Sequence, residues 1–219
     1  MQQQAVMTPG KQTSRQGGLF VISAPSGAGK TSLVKALLAR NPALAVSVSH
    51  TTRAPRPHEV QGREYFFVTR QEFQEKLARG EFLEHARVFD NFYGTGRATV
   101  EAVLAQGRDV ILEIDWQGAR QVRRSAPGCT TIFILPPSRA ALEQRLRDRR
   151  TDSDEVIARR LRDAVGDMSH YREFGYVVVN DDFDTACGQL QSILAGGGRG
   201  LESDREALAP LLRDLIGAP

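Results

Sequence analysis

Residues 24–31 read Ala24, Pro25, Ser26, Gly27, Ala28, Gly29, Lys30, Thr31, and they lie between an apolar run at 19–24 and a helical pattern at 31–40. A strand that feeds a glycine turn and then a helix is a phosphate-binding loop. Its backbone N–H groups must wrap round phosphate oxygens, so Gly27 and Gly29 permit approaches that a Cβ would block. Lys30 supplies a cation that can follow a transferred phosphoryl group, and the Thr31 hydroxyl can coordinate Mg²⁺ at the positive end of the helix. The strict pattern opens on Gly; Ala24 belongs to its relaxed form. A nucleoside triphosphate site is the expectation.

Five short apolar, β-branched runs occur at 19–24, 44–49, 110–114, 130–135 and 176–180. Near-continuous apolarity suits strands covered on both faces, hence a parallel sheet. Helical periodicity occupies 31–40, 99–106, 117–125, 138–148, 154–171 and 185–194, with several Ser, Thr or Asp caps. The expected fold is α/β: a P-loop core with a five-stranded parallel sheet flanked by helices. Between 53 and 97 the pattern changes to a Pro-rich connector followed by aromatic runs at 65–68 and 82–89, which reads as an inserted mixed α+β subdomain. Residues 145–166 are dense in Arg and acidic side chains and read as a charged helical flap. The core is then 17–52, 98–144 and 167–195.

The ends differ from this body. Residues 1–16 are polar and read as a disordered extension without a signal-peptide apolar stretch. Gly196, Gly197, Gly198 and Gly200 suggest a flexible linker. After it, Leu208, Leu211, Leu212, Leu215 and Ile216 form one apolar helical face, which could dock on the core or on a second subunit. The formal charge of +3 is too small to argue for nucleic acid. No run of ~18 apolar residues offers a membrane span. Cys129 and Cys187 sit in no CxxC spacing. A cytoplasmic protein is expected.

Taken together, the loop at 24–31, the stretch from Ser49 to Glu59 with its TTRAPRPHE sequence, GREYFF at 62–67, the Phe82-Leu83-Glu84 segment, NFYGT at 91–95, ILEIDWQG at 111–118 and YVVVNDD at 176–182 resemble the guanylate kinase family over about residues 18–195. The resemblance implies ATP-dependent phosphorylation of GMP, and of dGMP with it, on a core with a GMP-binding insertion and a closing lid. It assigns Ser49, Arg53, Arg56, Tyr65, Glu84, Tyr93 and Thr95 to GMP, and Asp115 to the GMP and Mg²⁺ region with Glu113 beside it. It places Asn180 near the ATP base, and Arg149 and Arg160 in the lid on the transferring phosphoryl.

The residue types agree with that assignment. Arg53 and Arg56, three apart on a Pro-stiffened connector, can clamp an acceptor phosphate, and Tyr65 and Tyr93 can add phenolic donors. Glu84 lies in an apolar-aromatic strand, where an unpaired carboxylate is costly. The N1–H and 2-amino donors of guanine would satisfy both its oxygens. Asp115 follows the apolar strand 110–114 at its carboxyl end, where open α/β sheets bind ligands; helix capping is its alternative role. His50, beside Ser49, has no evident part. The remaining arginines between 145 and 162 read as solvent-facing partners of neighbouring acids. Two rivals remain: another small-molecule kinase on the same scaffold, such as a ribose-bisphosphate kinase, and a non-catalytic guanylate-kinase-like binding module.

Overall fold

The computed structural model describes residues 16–88, 90–148 and 153–217. A five-stranded, all-parallel sheet forms its centre in the order β2 (Ala45–Val46), β7 (Val110–Glu113), β1 (Leu19–Ser23), β8 (Thr130–Leu135), β9 (Tyr176–Val179). These are the five apolar runs of the sequence, with the second reduced to two paired residues. Alternation along each strand divides the core into two layers. Phe20, Ile22, Ile111, Ile132 and Ile134 face α1 (Lys30–Arg40) and α7 (Phe183–Leu194). Val21, Val110, Leu112, Phe133 and Leu135 face the opposite layer, built from α3 (Arg97–Ala105), α4 (Trp116–Ser125), α5 (Arg139–Arg147) and α6 (Asp154–Met168).

A second sheet grows from the 53–97 region and its borders, in the order β4 (Phe66–Phe67), β3 (His50–Thr51), β6 (Asn91–Gly96), β5 (Phe82–Val88). β3 runs parallel to β4 and antiparallel to β6, and β5 pairs antiparallel with β6. The helix α2 (Arg70–Ala78), which the sequence did not place individually, opens on a capping box between Thr69 and Glu72. Its one fully buried side chain, Phe73, stacks on Phe82 at 4.5 Å and on Phe92 at 5.5 Å. Gly94 is required here, since a Cβ would lie 3.0 to 3.1 Å from both Phe82 and Phe73.

The C-terminal segment departs from its sequence reading. The glycines after Ala195 form an ordered turn, with Gly196, Gly198 and Gly200 all at positive φ. The chain then returns along the sheet edge: Val177 N–H donates to Leu201 O at 2.8 Å, and Ser203 N–H to Gly175 O at 3.1 Å. Helix α8 (Ala209–Ile216) follows, with Leu208 and Leu215 buried in the α6 layer of the core. Arg139, at the start of α5, holds this helix through Asp214 Oδ2 at 3.0 Å and Leu215 O at 2.8 Å. The apolar face of the tail is thus spent on its own core, and the segment is not a loose linker. Residues 1–15 and the expectation made for them lie outside the described residues.

Candidate active site

Helix α1 begins without a side-chain cap, on Gly29 at φ 93, whereas Thr69, Asp115, Ser138, Ser153 and Asp182 cap α2, α4, α5, α6 and α7. The first N–H groups of α1 are therefore open to an external acceptor, and no acidic side chain stands in its first turn. Gly27 also sits at φ 93, a conformation that costs a Cβ-bearing residue. The turn encloses a cavity of about 440 Å³ lined by Ala24, Pro25, Ser26, Gly27, Gly29, Lys30 and Thr31 on one side. Ala28 is buried behind it.

Ser49, Tyr65, Glu84, Tyr93, Glu113 and Asp115 line the rest of that same cavity. Side chains from both sheets therefore converge on one space. Glu84 is only 3% exposed and accepts a hydrogen bond from the Thr95 hydroxyl at 2.6 Å, and Thr95 in turn meets Ser49 Oγ at 3.4 Å. Burial pushes the Glu84 carboxyl up to about 7, with the Thr95 bond opposing and the Asp115 charge adding to the rise. Its second oxygen has no side-chain donor among the described residues. Tyr65 and Tyr93 meet edge to face with centroids 5.9 Å apart.

Lys30 donates to Ile114 O at 3.3 Å. Burial lowers its pKa, and the nearby carboxylates of Glu113, Asp115, Asp167 and Glu84 oppose that. Thr31 Oγ1 donates to Glu113 Oε2 at 3.3 Å. Asp115 fills both of the roles weighed for it, since it caps α4 through Gly118 N at 2.8 Å and also lines the cavity. Asp167, on α6, was missed in the sequence. Burial and the Asp115 charge raise its pKa to about 6. Nothing in a helical stretch of mixed charge marks it, and only the folded chain brings it to Trp116 and Asp115 at the start of α4.

The arginines are arranged differently from the sequence expectation. Arg53 donates to both oxygens of Glu59 at 2.8 Å and lies over the Tyr65 ring at 5.4 Å, behind the cavity wall. Arg56 is exposed, with its backbone N–H on the same Glu59 carboxylate at 2.8 Å. The two guanidinium groups do not converge on the cavity lining; Glu59 holds the connector between them. Arg160 is half-buried on α6, and Arg149 lies outside the described residues.

Asn180 is buried and ties the loop down, donating to Ala28 O at 2.8 Å. Its own carbonyl accepts from Arg145 Nη2 at 2.9 Å. The other terminal nitrogen of Arg145 is buried without a hydrogen-bond partner among the described residues. Arg145 is thus not one of the solvent-facing arginines the sequence suggested. With Asn180, Asp181, Phe183, Ser32, Gly27 and Gly29 it lines a second cavity, about 300 Å³, on the far side of the phosphate loop.

Among the described residues, no helix is long and apolar enough to cross a membrane. Cys129 and Cys187 are both free thiols. The family model described as guanylate kinase matches residues 16–196. A guanylate kinase of Methylococcus capsulatus is 60% identical over 202 residues, covering 92% of this chain and 99% of that protein. That match takes in residues beyond the family model. A guanylate kinase of Escherichia coli is 58% identical over 181 residues, 82% of this chain and 87% of its own. The crystal structure of guanylate kinase from Anaplasma phagocytophilum superposes with a TM-score of 0.69 at 32% identity, covering 94% of this chain and 98% of that one. An uncapped phosphate loop that shares its cavity with a buried, hydroxyl-bound carboxylate agrees with these similarities, and the chain belongs to the guanylate kinase family.

Proposed function

We propose that this chain transfers the γ-phosphoryl group of ATP to GMP, yielding ADP and GDP by direct in-line displacement. The observation that carries the reading is Glu84. A buried carboxylate facing a cavity is expensive unless a ligand supplies donors, and guanine presents two adjacent ones, N1–H and the 2-amino group. Ser49 and Thr95 stand in line behind it. The phosphate loop lines the same cavity, so donor and acceptor phosphates can meet there. No covalent intermediate is needed, because phosphoryl transfer works by positioning and charge.

The second cavity supports a place for the ATP base. Phe183 is 40% exposed there, offering a face for stacking, and the Arg145 nitrogen that has no partner among the described residues offers a donor. The donor set also fits Mg²⁺. Thr31, Glu113 and Asp115 are hard oxygen donors at the loop, and no cluster of three or more metal-ligating side chains exists among the described residues. Mg²⁺ is commonly held by one or two carboxylates together with substrate phosphates and water. When bound with ATP it would neutralise phosphate charge. Lys30 adds its own cation. Tyr65 and Tyr93, which line the cavity, can donate to an acceptor phosphate, and Arg53 and Arg56 would join them once the connector held by Glu59 moves. The segment from Arg145 to Gly166 acts as the lid, with Arg160 and Arg149 brought to the phosphoryl on closing. Two free thiols and nucleotide substrates fit a cytoplasmic setting.

The test is a panel of acceptors in a coupled ADP-release assay. GMP should be preferred over AMP by ~10⁴ in kcat/KM, because AMP leaves the buried carboxylate unpaired. AMP or UMP within ~10-fold of GMP, a preference of only about 1.4 kcal/mol, would remove the guanine assignment. A ribose-bisphosphate kinase would have no use for Glu84, and it would ignore all three nucleotides.

A further inference from the structure

Gly118 occupies the first turn of α4, where glycine weakens a helix. Its backbone is not in the left-handed region, so conformational freedom does not call for it. Space does. A Cβ at this position would lie 2.6 Å from Glu84 Oε2, 3.2 Å from Glu84 Cδ and 3.3 Å from Ile114 Cδ1. The Gly118 N–H is already committed to Asp115 Oδ1 at 2.8 Å, which fixes this turn of α4 relative to the cavity. On its other side the Glu84 carboxylate is held by Thr95 through Oε1 at 2.6 Å. The carboxylate is thus gripped between a hydroxyl donor and bare helix backbone.

We propose that Gly118 is a specificity-determining position: the missing Cβ makes the space that Glu84 Oε2 occupies and so fixes the carboxylate plane that accepts two hydrogen bonds from the acceptor base. This rests on the guanine reading above. Two parallel hydrogen bonds need both oxygens in one plane facing the base. With alanine at 118, either Oε2 swings off the helix and strains the Thr95 bond, or α4 backs away and carries Asp115 with it. Either movement spoils the acceptor subsite. The phosphate loop and the cavity around Asn180 touch neither Gly118 nor its Cβ position.

The experiment is a double-mutant cycle of Gly118→Ala and Glu84→Ala, read by kcat/KM for GMP, the ATP Michaelis constant and Tm. Gly188→Ala serves as a control: it lies on α7, and nothing stands within 4 Å of its Cβ position. Gly118→Ala should raise the GMP Michaelis constant by ~10-fold or more while that for ATP moves less than ~2-fold, and Gly188→Ala should change neither. In the Glu84→Ala background, where the opposing carboxylate is gone, Gly118→Ala should cost much less in GMP use and in Tm, with only the milder Ile114 Cδ1 contact at 3.3 Å left to relax. If Gly118→Ala is too unstable to assay, the Tm arm decides alone, because removing Glu84 should restore most of the stability lost. A folded Gly118→Ala enzyme with unaltered GMP use, or a penalty undiminished without Glu84, would overturn the proposal. Failure of the wild-type chain to use GMP at all would instead overturn the guanine reading, and the Tm cycle would still report on the contact.

Discussion

Glu84 gives the molecule a pH dependence that can be worked out in sign. In the unfolded chain its carboxyl ionises at the usual value of 4.5, and in the fold burial holds the proton to about 7. Between those values the folded state binds the extra proton, so this group's contribution to stability is present below 4.5 and declines by about 3 kcal/mol as pH rises to 7. GMP use should move the other way. A protonated carboxyl has one oxygen turned donor and cannot accept from both guanine groups. The kcat/KM for GMP should therefore rise about tenfold from pH 6 to pH 8, and Glu84→Gln should be slow and without that limb. A wild-type profile flat across this range would separate Glu84 from base recognition. Lys30 makes a different prediction, since it sits in the loop, where its hydrogen bond among the described residues goes to Ile114 O. Lys30→Ala should lose roughly 10²–10³ in turnover, while calorimetry still finds GMP binding; affinity for GMP falling as far as turnover would mean the two subsites are not separate.

At the scale of elements, the start of α1 is set apart by an open N-terminus that faces the cavity. Side chains close the N-termini of α2, α4, α5, α6 and α7, whereas α1, α3 and α8 have no side-chain cap, and of these three α1 is the one that lines the cavity where the phosphates are expected. The α5–α6 pair carries a similar distinction among arginines. Arg147 is tied to Glu143 at 2.8 Å and to Asp154 at 2.5 Å, joining the end of α5 to the start of α6, with 46% of its side chain exposed. Exposed pairs of that kind contribute little, because solvent screens them. Arg147→Ala should accordingly change kcat by less than ~3-fold, and Arg160→Ala should lower it by roughly 10²-fold or more with a smaller change in the ATP Michaelis constant. Steady-state kinetics on both variants decide. Equal losses would mean that the arginines act as a diffuse field and not through a placed side chain.

For the whole molecule, the C-terminal segment closes the structure. It extends the hydrogen bonding of the β9 edge and seals the α5–α6 layer with Leu208 and Leu215. Truncation after Ala195 should cost at least about 3 kcal/mol in lost burial, a Tm decrease of roughly 6–12 °C. It removes no residue of the cavity at the phosphate loop, so turnover of the folded fraction should stay within ~10-fold of the full chain. Calorimetry and kinetics on the same truncated protein test both halves; an unchanged Tm would mean the tail is not seated on the core. Local rules were enough for much of this molecule. The phosphate loop, the five buried strands and most helix starts follow from glycine placement, apolar runs and capping residues that act within a few positions of one another, and the buried carboxylate at 84 stands out against its apolar neighbours. Other features depend on which segments pack together. Arg145 looks like its neighbours in a charged run until Asn180, 35 residues away, takes one side of its guanidinium. Arg53 looks free for a phosphate until Glu59 folds back on it, and the glycines after Ala195 read as a linker until the sheet edge beside them captures the chain. Gly118 reads as a weak point in a helix until β5 places Glu84 against it. Long-range contacts decide these cases, because a side chain's partner, and the space left for it, are set by elements that meet only when the two sheets and their helices come together.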